Sequence, residues 1–219
     1  MRPKLRPRNV VAVLFGGTCV LSLGGCAGVA IDASRRNLVS FGAGWGRLNT
    51  NSPASDDVPE SERKLDLANV FAFDGTYARR LTGARAPVGL FAEGVLQWVP
   101  PSRVEGDGAA RGCEVGWLMT GAGLRVQSPA VDGISLSGDA GYGVLRASQS
   151  GCAGNAALPG SPGSATVGSP FFGATIDFPF NQKLACSIAI RATRLPLDDL
   201  GMGERRWGGA GSLRILIAF

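Results

Sequence analysis

Histidine is absent from all 219 residues, and that removes much chemistry at once. The commonest general base and the commonest neutral metal ligand are missing. A Ser-His-Asp arrangement cannot form, nor can any lipase, deacylase or protease site that works through histidine. Charged residues are scarce at 18%. Outside the N-terminus no window approaches the roughly 18 to 20 apolar residues that a spanning helix needs, which excludes a helical membrane bundle. No Walker or dinucleotide fingerprint stands in a strand–loop–helix setting, and no stretch reads as an amphipathic helix. No catalytic residue, metal site or cofactor is expected.

Glycine, by contrast, is abundant, with 33 residues spread along the chain without a collagen period, so it reads as strand and turn glycine. The net charge of +5 suggests a polyanion partner only until its location is considered. Arg2, Lys4, Arg6 and Arg8 all precede the first apolar run, and removing them leaves about +1, too little for a nucleic-acid footprint. The stretch MRPKLRPRN, followed by an apolar run of roughly 14 residues, has the layout of a secretory signal and is too short for a permanent anchor. It closes on Leu23-Gly24-Gly25-Cys26, which looks like a bacterial lipobox. That makes residues 1–25 a lipoprotein-type signal peptide, Cys26 the lipid attachment site and 26–35 a linker. The rival is ordinary cleavage after Ala30, in AGVA. Both export the protein from the cytoplasm.

From there on, period-2 alternation predicts eight strands, near 37–48, 66–80, 87–99, 113–127, 133–147, 169–180, 183–195 and 208–219. They are longer than ordinary globular strands and suit a tilted strand crossing a bilayer. Their connections alternate. Long polar segments at 49–66, 100–112, 148–169 and 196–206 take turns with the short links TGARA, SPAVD and NQ. Sorted in this way, all long loops fall at one end of an antiparallel up-and-down meander, the pattern of outer-membrane barrels with extracellular loops and short periplasmic turns. The same threading puts Trp45, Trp98, Trp117 and Trp207 in the outer halves of their strands. Tyr77, Phe178, Phe180 and Phe219 fall at the periplasmic ends, as two aromatic girdles would. Phe71, Phe73 and Phe91 lie mid-strand, carry no girdle information and read as lipid-facing phenylalanines.

The last three strands show the faces most clearly. Phe172, Ala174, Ile176, Phe178 and Phe180 share one face, as do Leu184, Cys186, Ile188 and Ile190, and then Leu213, Ile215, Ile217 and Phe219. The opposite faces are small or polar and carry lone charges. Large residues outward and charges inward invert the soluble arrangement and suit an eight-stranded lumen just wide enough for side chains to fill it. Extending the register, the inward set is Asp74, Glu93, Asp139, Asp177, Arg191 and Arg214. Buried charges need partners, so these six should form an ion-pair network plugging the lumen. Strand four, with Glu114, Trp117 and Arg125, leaves its faces ambiguous. Of the five cysteines, Cys19 leaves with the signal, and Cys186 reads as a small lipid-facing residue. Cys113 and Cys152 both fall at the outer end. They form either a disulfide, as the oxidising compartment allows, or two free thiols.

On these residues the chain from 36 to 219 resembles the OmpA/OmpX-like outer-membrane β-barrel domains. The resemblance rests on the meander, the sorted loops, the sequences GAGLRV and GDAGYGVL, and a last strand with apolar residues at alternate positions up to the final Phe. It implies an all-β, eight-stranded antiparallel up-and-down transmembrane β-barrel. It also implies that Leu213, Ile215, Ile217 and Phe219 form the signal read by the barrel-assembly machinery. The expected protein is a small, monomeric, non-catalytic barrel of the bacterial outer membrane, structural or loop-presenting, with outer-membrane lipid as its surroundings. Two alternatives belong to other classes. One is a lipid-anchored lipocalin-like carrier, against which Ala43-Gly44-Trp45 misplaces the Gly of that family's Gly-x-Trp. The other is a lipid-remodelling barrel enzyme, disfavoured by the missing histidine.

Overall fold

The computed structural model describes residues 30–31, 34–48, 70–103, 114–150, 163–196, 199 and 206–219. Eight strands follow one another: β1 (Asn37–Leu48), β2 (Val70–Arg80), β3 (Gly89–Arg103), β4 (Glu114–Gln127), β5 (Ser135–Ser150), β6 (Ser164–Pro179), β7 (Leu184–Leu195) and β8 (Arg206–Ala218). Each pairs antiparallel with its sequence neighbours, and β8 returns to β1, closing the barrel. Closure is completed by Asn37 and Phe219, which exchange two backbone hydrogen bonds of 3.0 Å. A closed sheet satisfies every strand and leaves no edge.

The predicted strands fall on the observed ones, with displaced ends. β3 runs on to Arg103 because the ladder tolerates Pro100 and Pro101 through a register shift between Val99 and Ser102. A bulge is where a strand can accept residues that cannot donate. β5 and β6 extend further toward the long loops than alternation suggests, to Ser150 and from Ser164. Predicted residues 66–69 and most of each long connection lie outside the described residues.

The short links are built from local chemistry. Between β4 and β5, Asp132 and Gly133 have φ of 52° and 84°, the left-handed pair that a two-residue hairpin turn requires and that Asp-Gly supplies at low cost. Between β6 and β7 the Asn181 side chain accepts backbone N–H groups of Lys183 and Leu184 at 2.8 and 3.0 Å, an Asx-type turn.

Alternation then fixes the two surfaces. Large apolar side chains crowd the outside, among them Phe41, Trp45, Phe73, Leu96, Leu124, Leu136, Val144, Ile190 and Ile215, all exposed. Inside lie Asp74, Glu93, Asp139, Asp177, Arg191 and Arg214, all buried. Three side chains depart from the sequence expectation. Trp117 points inward and is 2% exposed, so only Trp45, Trp98 and Trp207 remain as outer-half surface tryptophans. Phe91 is inward too. Cys186 stands in outward register but is buried and disulfide-bonded. It is therefore not the free apolar residue its spacing suggests. The other four cysteines, Cys26, Cys113 and Cys152 included, lie outside the described residues.

Candidate functional site

The inward faces are not uniformly polar; along individual strands they are layered. On β2, inward positions run from Ala72 through Asp74 to Ala78. On β8 they run from Ala210 through Arg214 to Leu216. On β7, starting from the other end, they pass from Ala185 through Ser187 and Arg191 to Leu195. Toward the long-loop end the apolar residues join into a plug that includes Val99, Trp117, Met119, Leu145, Phe171 and Leu195. Toward the short-turn end, Leu38, Ala78, Phe91, Ala185, Leu216 and Ala218 form a second plug, with Ile31 packed against it from the segment before β1. The charges occupy the belt between.

The upper plug needs room, and glycines supply it. A Cβ on Gly141 would lie 2.5 Å from the Phe171 ring, and one on Gly121 would lie 2.9 Å from it. These strand glycines let a large ring lie across the lumen. The Trp117 indole N–H donates to the Gln97 side-chain carbonyl at 3.2 Å, which answers the indole's need for a partner inside a closed space.

Arg191 is the hub of the belt. Its Nη1 donates to both Asp74 oxygens at 3.1 and 3.2 Å, while Nε and Nη2 donate to Asp139 Oδ2 at 3.2 and 3.1 Å. Glu93 Oε1 lies 3.7 Å from Nη2, and the guanidinium sits 5.6 Å above the Phe171 ring centre. Arg214 Nη2 donates to Asp74 at 2.6 Å and its Nε to Ser212 at 3.0 Å. A planar five-donor guanidinium can serve several carboxylates at once, which a lysine ammonium cannot match.

A second cluster centres on Asp177, nearer the short turns. Its Oδ2 accepts from Arg125 Nη2 at 2.8 Å and Gln127 Nε2 at 3.1 Å. Its Oδ1 accepts from the Ser187 hydroxyl at 2.6 Å. All six predicted charges are thus inside, but they divide between two clusters rather than forming one network. The partner of Asp177 is Arg125, which strand-four alternation could not place. The missed signal was register. Arg125 stands opposite Asp139 on β5, and Asp177 opposite Ser135 and Ser187.

Among the described residues, three inward guanidinium groups face four inward carboxylates. The carboxylate with the weakest pairing is Glu93, neither of whose oxygens accepts a hydrogen bond. Gln97 Nε2, Arg125 Nε and Ser137 Oγ are likewise buried without a hydrogen-bond partner. Among the described residues, no three carboxylates or cysteines converge to hold a metal ion. Chemically the belt can bind its own members and order water beside Glu93. Among the described residues an apolar plug lies on either side of it.

The predicted assembly-signal residues lie on the outer surface of β8, with Ile215 and Phe219 exposed and Leu213 and Ile217 half-buried. Outward rings also pair across strands. Phe73 stacks on Trp98 with centroids 5.3 Å apart, and Phe172 meets Trp207 at 5.0 Å.

No protein-family model matches the chain and no curated protein matches it in sequence. Solved structures do resemble it. Neisserial surface protein A is similar at a TM-score of 0.52 and 10% identity, over 84% of this chain and 97% of that one. The attachment invasion locus protein Ail of Yersinia pestis gives 0.48 and 14%, over 84% and 98%. The N-terminal barrel domain of Pseudomonas aeruginosa OprF gives 0.47 and 10%, over 84% and 98%. At these identities the likeness is one of fold: the closed eight-stranded antiparallel barrel of OmpA-like and OmpX-like outer-membrane proteins.

Proposed function

We propose that this chain is a small integral barrel of the bacterial outer membrane, without catalytic activity, that stands in the lipid and presents its long connections at the cell surface. One observation carries the proposal: an outer wall of exposed large apolar side chains enclosing a buried set of charges. In water that distribution would waste its apolar surface, since soluble monomers rarely expose patches of this extent. In a bilayer it is the expected one.

The filled lumen supports the structural reading over the carrier. A lipocalin-like carrier needs an apolar cavity, whereas here plugs and ion pairs occupy the interior. Little or no conductance is expected of such a lumen. The missing histidine and the pairing of Asp74, Asp139 and Asp177 with arginines disfavour an enzyme. The long connections face outward from the cell if residue 37 starts on the periplasmic side. Phe219 then lies at the periplasmic interface. Closure without an edge favours a monomer.

The test is a detergent-extracted, vesicle-refolded sample of the chain run on gels with and without boiling. A compact unboiled band that shifts on heating supports the barrel. Release of a Cys26→Ala variant into aqueous buffer would instead favour a lipid-anchored carrier.

A further inference from the structure

Besides the register shift between Val99 and Ser102, the described wall departs from regular pairing between β6 and β7. β6 begins at Ser164 and β7 runs to Leu195, yet their shared ladder covers only Phe171–Pro179 against Ala185–Thr193. Pro170 stands at the point of departure. It has no N–H to donate, so the ladder cannot continue through it. The Ser169 hydroxyl substitutes locally, accepting the Arg194 N–H at 3.1 Å and lying 2.8 Å from the Arg194 carbonyl. Where the strands part, a cleft of about 150 Å³ opens, lined by Tyr142, Val167, Gly168, Pro170, Arg194 and Pro196. That is many times the roughly 10–15 Å³ a single water needs.

Two donors in this cleft have no side-chain partner among the described residues. Arg194 is exposed on the outer face of β7, and among the described residues no side chain pairs with its guanidinium. The Tyr142 hydroxyl has no partner there either. Tyr142 is held over Gly168, where an added Cβ would meet its hydroxyl at 2.6 Å. Trp207 stands opposite Arg194 on β8 and packs on Phe172, giving the cleft an aromatic rim.

The height of the cleft decides which anion it meets. Arg194 follows Leu184, the start of β7, by ten residues. At about 3.3 Å per residue and a tilt near 40°, that is roughly 25 Å above the short-turn end, the height of a barrel's apolar band. An arginine at the bilayer centre is costly, but at the interface it is tolerated, and there it faces headgroup phosphates. A guanidinium binds phosphate through paired donors.

We propose that the notch between β6 and β7 is a binding site for the phosphate of an anionic membrane lipid, with Arg194 as the charged ligand and Tyr142 as a second donor. The proposal rests on the outer-membrane reading. The lipid's acyl chains lie along the apolar wall below, over Phe172 and Ile190.

The test uses the full chain folded into phosphatidylcholine vesicles containing a minority of phosphatidylglycerol, then extracted in mild detergent. Bound phospholipid is counted by native mass spectrometry. The wild type should retain phosphatidylglycerol at about tenfold above its mole fraction. Arg194→Ala should lower this to the mole fraction, Arg194→Lys should keep part of it, and Tyr142→Phe should reduce it about threefold. Arg146→Ala, an outward arginine outside the cleft, should leave it unchanged. Equal retention by Arg194→Ala and wild type, or an equal loss in Arg146→Ala, would overturn the site. Displacement of the lipid by millimolar inorganic phosphate would overturn the assignment to a membrane lipid. Heat-modifiable migration of the same samples separates the two levels. A heat-modifiable barrel without enrichment overturns the lipid site alone; no heat-modifiable form overturns the membrane reading with it.

Discussion

Replacing Arg191 by methionine should be among the most damaging single changes inside this barrel. Methionine has similar length and no charge, so it fills the space while removing all four hydrogen bonds that Arg191 gives to Asp74 and Asp139. The two aspartates do not suffer equally. Asp74 retains Arg214 at 2.6 Å, whereas among the described residues Arg191 is the one guanidinium within salt-bridge distance of Asp139. Asp139 is then a buried carboxylate left uncompensated, a situation that costs about 3–5 kcal/mol. With a urea dependence of roughly 2 kcal/mol per molar, the unfolding midpoint should fall by about 2 M. The assay is the fraction of compact, unboiled band against urea in vesicles. Adding Asp139→Asn removes the stranded charge, so the double variant should recover more than half of the loss. A midpoint within about 0.3 M of wild type for Arg191→Met would refute this account, as would a double variant worse than the single.

Arg125→Met should cost less, about 1–2 kcal/mol below the Arg191 effect, because Gln127 and Ser187 still donate to Asp177; the same urea series measures it. Gly141→Ala should destabilise by about 1–3 kcal/mol, since its Cβ meets both the Phe171 ring and the Ala122 carbonyl. The additional Phe171→Leu change should relieve part of that cost. Ile188→Arg places a cation mid-strand on the outer wall and should cost about 2–4 kcal/mol in vesicles. An effect under about 0.5 kcal/mol would count against lipid at that position.

Much of this architecture was legible because period 2 leaves little freedom once one face is identified. β6, β7 and β8 separate large from small over most of their paired lengths, with Phe171, Leu195 and Leu216 as the large inward exceptions, and the inward charges follow. β4 was not legible, for two reasons. Its inward face carries Trp117 and Met119 while its outward face carries Leu118, Leu124 and Val126, so size does not distinguish them. The turn also misleads. A simple two-residue hairpin on Asp132-Gly133, with Val131 paired to Ile134, would continue to Arg125 opposite Ala140 and place Arg125 on the outer face. Instead the Ser128 hydroxyl accepts the Leu136 N–H at 3.0 Å, and the ladder resumes one residue out of step with Arg125 opposite Asp139. A one-residue slip exchanges the faces, and it is this slip that brings Arg125 to Asp177. The plugs were hidden for a related reason. The expectation of a small or polar interior came from the last three strands, while most of the large inward residues come from β3, β4 and β5.

The central claim is that the apolar outer wall lies in lipid while the inward residues do not, and single-tryptophan variants test it directly. Each of Trp45, Trp98, Trp117 and Trp207 is kept alone in turn, and the barrel is folded into vesicles of lipids brominated along the acyl chain. Bromine quenches a tryptophan that it can touch. Trp45, Trp98 and Trp207 should be quenched, most strongly by bromine near the headgroup, and Trp117 should keep nearly its full emission. Equal quenching of Trp117, or none at the other three, would contradict the account.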